Sequence, residues 1–140
     1  MNKQQQMQEI LKETVDYYSE DPQGRRAVDD NGDCMYTTIH GRHCAIGRYM
    51  KKEFLTTEFD ENHGVGVSGL SEDVDNYLIK EVHGLSYDFW CDLQDLHDKI
   101  GHWLVWSQGT DGLREHVFSA EGRNARTRIK NLIERGDYNE

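Results

Sequence analysis

Apolar residues recur every three or four positions between residues 3 and 19, at Met7, Ile10, Leu11, Val15 and Tyr18. That spacing gathers them into one stripe and predicts an amphipathic helix, closed by Pro22 and Gly24. Residues 24 to 33 are rich in turn formers, with Asn31-Gly32 as the strongest signal. Strand formers follow from Cys34 to Ile39, and His40-Gly41-Arg42 then suits a hairpin turn into His43-Cys44-Ala45. A short helix is expected from Ala45 to Lys52, weakened by Gly47 in its interior.

The second half of the chain reads as further helices. Ser71 suits an N-cap, with Glu72 and Asp73 in the first turn of a helix running to about Val82 and stopping at Gly84. Ser86 caps the next. Phe89, Trp90, Leu93, Leu96, Ile100, Trp103 and Leu104 then continue at helical spacing as the main core helix. Thr110 and Ser119 are further cap candidates, and a last helix over roughly 120–135 buries Ala125, Ile129, Leu132 and Ile133. The expected fold is mainly α with a small β-hairpin, an α+β arrangement of about five helices. It forms a single compact domain over 1–140, with flexible N-terminal residues, a glycine-rich loop at 56–69 and a frayed tail at 136–140.

Composition narrows the function. A chain of 140 residues with 36% hydrophobic content can bury roughly two thirds of its unfolded surface, enough for a core without metal or disulfides. The net charge of −10 repels phosphate and argues against bulk binding to nucleic acid or anionic membrane. No apolar stretch reaches membrane-spanning length, and the N-terminal glutamine run has no signal-peptide core. Three sparse cysteines, Cys34, Cys44 and Cys91, read as reduced thiols in a cytoplasmic protein.

Chemistry-bearing residues cluster in two places. Cys34, His40, His43 and Cys44 put four metal-capable side chains within eleven residues. The spacing lacks a C-x-x-C pair, and neighbouring His43 and Cys44 would point to opposite faces of a strand. A usable zinc set is Cys34, His40 and Cys44 with a fourth ligand such as His97 or His102, but apolar core packing of the cysteines is the favoured reading. Cys44 is alternatively a nucleophile, with His97 among several candidate bases. His97 and Asp98 are sequence neighbours about 100° apart on a helix, so they are not expected to form a dyad.

The G-x-G-x-x-G match at Gly64–Gly69 lacks a preceding strand and reads as a loop rather than a phosphate cradle. The second cluster is basic. Arg123, Arg126 and Lys130 step by three and four, and so share one face of the last helix, while Arg128 projects elsewhere. In so acidic a chain this face is a candidate seat for phosphates. Pairing with the acidic run from Glu53 to Asp98, within the chain or across a dimer, is the competing reading.

The motifs Cys34-Met35-Tyr36, Gly41-Arg42-His43-Cys44-Ala45-Ile46-Gly47, Leu93-Gln94-Asp95-Leu96-His97-Asp98 and Trp103 resemble a family of small proteins from phages, prophages and bacterial genomes. That family shows C-x-Y, G-x-x-C-A-x-G, an LQ-x-x-HD helix and a tryptophan, over a span matching residues 8 to 118. The resemblance implies one compact domain of viral or mobile-element origin and carries no mechanism. His40 and His43 depart from the pattern, which weakens a family-wide metal site. The extended C-terminal helix with its basic face also departs from it.

The expectation is therefore a phage-type accessory protein that binds a host component, either a host protein or a nucleotide-type small molecule. Counter-defence and self-association belong to that expectation, and no cofactor does. A cysteine hydrolase built on Cys44 and a small zinc-stabilised module are the alternatives.

Overall fold

The computed structural model describes residues 2–20, 25–27, 36, 42–56, 59, 74–99, 102–103, 105–106, 113–114 and 118–138. Three α-helices organise them: α1 (Lys3–Glu20), α2 (Tyr87–Asp98) and α3 (Ala120–Glu134), each touching the other two. The stripe predicted for α1 is the stripe it buries, with Thr14 added to Met7, Ile10, Leu11, Val15 and Tyr18. Its first turn is closed by a reciprocal cap. Gln5 N–H donates to Asn2 Oδ1 at 2.8 Å, and Asn2 N–H donates to Gln5 Oε1 at 3.0 Å.

Both serine caps form where the sequence places them. Ser86 Oγ accepts from Asp88 N–H at 3.1 Å, and Ser119 Oγ accepts from Gly122 N–H at 3.0 Å. At the far end of α3, Gly136 takes φ +75°. Its N–H reaches Ile133 O at 3.1 Å, while Asp137 N–H reaches Leu132 O at 3.0 Å. Glycine alone adopts that backbone without strain, and the paired bonds satisfy carbonyls that the helix end leaves open.

The expected five helices and small β-hairpin are corrected by these elements: the described residues hold three α-helices, and most of the segment expected to form the hairpin, residues 34, 35 and 37–41, lies outside them. The helix expected over 45–52 is a single 3-10 turn at Gly47–Tyr49, because Met50 turns extended and bridges Leu78. In place of the helix expected over 71–82 stand 3-10 turns at Val74–Asn76 and Lys80–Val82, interrupted by that same bridge. Val74, Leu78 and Val82 are buried all the same, although the backbone is not helical between them. Tertiary pairing has overridden local preference.

The core helix also ends early, at Asp98 rather than near Leu104. Trp103 folds back instead, and its indole N–H donates to the carbonyls of Leu96 (3.0 Å) and His97 (3.1 Å). Between α2 and α3, β1 (Val105–Trp106) and β2 (Leu113–Arg114) pair antiparallel over two residues each.

Candidate functional site

Described residues from several of the sequence motifs meet in one buried knot. From α2, Gln94, His97 and Asp98 lie at i, i+3 and i+4, on one helical face. Gln94 Oε1 accepts from Ile46 N–H at 3.1 Å, and its amide donates to Asp98 Oδ1 at 2.8 Å. His97 Nδ1–H donates to the same carboxylate oxygen at 2.7 Å, and Nε2 accepts from Ala27 N–H at 3.4 Å. The sequence neighbours His97 and Asp98 therefore do pair, contrary to expectation. Asp98 closes the helix and its side chain can swing back onto the ring.

The knot also finishes the helix electrically. Arg26 is buried, donating from Nε to His97 O at 2.8 Å and from Nη2 to Asp98 O. His102 Nδ1–H donates to Leu96 O at 2.9 Å. A guanidinium at a helix C-terminus complements the helix dipole. Tyr18 packs its ring edge-on to His97 at 4.8 Å and donates its hydroxyl to His43 O. Burial pushes the His97 imidazole below its ordinary value, partly opposed by Asp98 and reinforced by Arg26.

Cys44 lies beside this knot with no exposed surface, its sulfur accepting from Gly47 N–H at 3.3 Å. A Cβ on Gly47 would stand 2.3 Å from Tyr36 O and 3.2 Å from Cys44 Sγ, so glycine is required for the chain to pass there. His97 is likewise fully buried, with both ring nitrogens turned to protein partners. This is the environment of core residues, not of a thiol nucleophile and its base, which need access to substrate. Cys34 and His40 lie outside the described residues. No group of three metal-capable side chains occurs among the described ones.

The basic residues divide. Arg126 and Lys130 line a groove of about 720 Å³ between α1 and α3, whereas Arg123 does not. Arg123 turns to its own helix start, donating to Phe118 O at 2.8 Å. Arg128, on another side, lies 3.6 Å from Asp92, one residue of the acidic run. Leu11, Val15 and Ile133 give the groove an apolar wall. Arg126 sits 5.3 Å above the Phe118 ring, and neither Arg126 nor Lys130 forms an ion pair with a described residue. Across from them on α1, Lys12 is paired with Asp16 at 2.6 Å.

Glutamines hold the groove together. Gln4 Nε2 donates to Ile133 O at 3.0 Å, and Gln8 Nε2 to Lys130 O at 3.3 Å. Ascending α1 thus matches descending α3, and the two helices run antiparallel. Sequence reasoning used the glutamine run only to exclude a signal-peptide core. The signal it passed over was the i, i+4 spacing of Gln4 and Gln8, the same spacing that puts Arg126, Lys130 and Glu134 in one row.

No helix among the described residues is long and apolar enough to cross a membrane. Compared with known proteins, the chain matches no family model, no curated protein and no solved structure.

Proposed function

We propose that this is a binding protein that takes a small anionic ligand of nucleotide type in the groove between α1 and α3. The observation that carries the reading is the pair Arg126 and Lys130. These are two cations without an ion-pair partner among the described residues, one helical turn apart, on a protein of net charge −10. An apolar wall beside them lowers the local dielectric and strengthens their pull on an anion. The groove volume lies within the range of small-molecule sites.

The buried setting of Cys44 and His97 supports binding over thiol chemistry. The motif resemblance supports placing the activity in a phage-type accessory protein that engages a host component. Counter-defence against a nucleotide signal is the role that joins the two.

Calorimetric titration with inorganic pyrophosphate tests the site. Arg126→Ala with Lys130→Ala should weaken binding by at least roughly tenfold, since each removes a charge-assisted contact. Arg123→Ala should leave it unchanged. Equal loss in all three single variants would mean attraction by overall charge and would remove the groove from the account.

A further inference from the structure

We propose that the groove has a direction: it holds a ribonucleoside diphosphate with its phosphates on Arg126 and Lys130 and its ribose diol on Glu134. This rests on the reading of the groove as an anion site and adds the part of the ligand that is not phosphate.

Arg126, Lys130 and Glu134 all line the groove. They stand at i, i+4 and i+8, so successive members are about 6 Å apart along the helix. The row thus presents two cations followed by a carboxylate. A carboxylate repels phosphate and accepts hydrogen bonds from hydroxyls, the role an acidic residue plays against ribose in dinucleotide sites. A diphosphate ester has the same order of groups, two anionic centres and then a diol. Glu134 is exposed and has no ion-pair partner among the described residues, so its carboxylate is available.

The facing helix agrees. Because α1 and α3 run antiparallel, the Glu134 end of the groove faces Asn2 and Gln5, and the Arg126 end faces Lys12. Asn2 and Gln5 spend their side-chain oxygens on the helix cap, which leaves their amide N–H groups for the acceptors of a base edge. The rival seat for phosphate is the N-terminus of α1. It is partly closed, since Gln5 N–H is held by Asn2 Oδ1 and Gln6 N–H by Asn2 O.

The test is calorimetry with ADP, GDP, CDP, UDP and inorganic pyrophosphate, followed by the 2′,3′-dideoxy form of the tightest nucleotide. At least one ribonucleotide should bind roughly tenfold more tightly than pyrophosphate and than its own dideoxy form, the worth of hydrogen bonds to a charged acceptor. Glu134→Gln should erase that preference while leaving pyrophosphate binding equal or stronger. Pyrophosphate binding as tightly as every nucleotide overturns the direction but keeps the anion site. So does Glu134→Gln weakening pyrophosphate and nucleotide alike. No binding of any of the five overturns both.

Discussion

Gly47 shows how a single position can carry a motif without touching a ligand. Its missing Cβ lets Tyr36 O and Cys44 Sγ close over the chain. Gly47→Ala should therefore cost about 1–3 kcal/mol, the usual penalty for overfilling a packed site, read as a lowered urea midpoint at unchanged slope. A loss under about 0.5 kcal/mol would show that the neighbours yield freely. His97 gives a second test. Its pKa is depressed in the folded state from the ordinary 6.5, so below that value the unfolded chain binds the extra proton. Its contribution to stability is thus complete above about pH 6.5 and declines as pH falls toward the folded value. Urea midpoints from pH 7.5 to 5 should fall in the native protein and fall less steeply in His97→Gln. Parallel curves would contradict the assignment.

At the scale of elements, the cap serines are separable from the site. Ser86→Ala and Ser119→Ala should each cost ~1 kcal/mol in chemical denaturation, with losses adding in the double variant because they cap different helices. A loss in the double variant well short of the sum would place the two helix ends in one coupled unit. What was legible in the sequence follows the same division. α1, both serine caps and the buried side of α3 rest on local signals, namely apolar spacing and short polar side chains at helix starts. The turns at 47–49, 74–76 and 80–82 were not legible as such, because the pairing of Met50 with Leu78 decides them from outside. The end of α2 was hidden for a related reason: Trp103 keeps helical spacing in sequence but caps the helix with its indole. Half of the candidate site was legible too. The stepping of Arg126 and Lys130 is local, whereas the facing glutamines and the commitment of Arg123 to Phe118 depend on how α1 lies against α3. Nor did the sequence show the docking of Tyr138, which packs on Phe89 and donates its hydroxyl to Asp92 at 2.6 Å.

At the scale of the whole molecule, two surfaces with different duties emerge. One is internal, where Gln94, His97, Asp98 and Arg26 tie α2 to the segments around Ala27 and Ile46. Its motif residues are those of a folding signature. The other is the open groove, whose cations Arg126 and Lys130 lie on α3. A protein of net charge −10 that places Arg126 and Lys130, without ion-pair partners among the described residues, in one groove should hold an anion there despite its own field. It should do so less well as salt rises, with screening over about 10 Å at 0.1 M. The measurement that tests this most directly is an amide NMR titration with inorganic pyrophosphate at low salt. The account predicts shifts concentrated in Gln8–Asp16 and Arg126–Lys130, with little change around Arg123, Gln94 and His97. Shifts centred on the Gln94–Asp98 knot, or spread evenly over every basic residue, would contradict it.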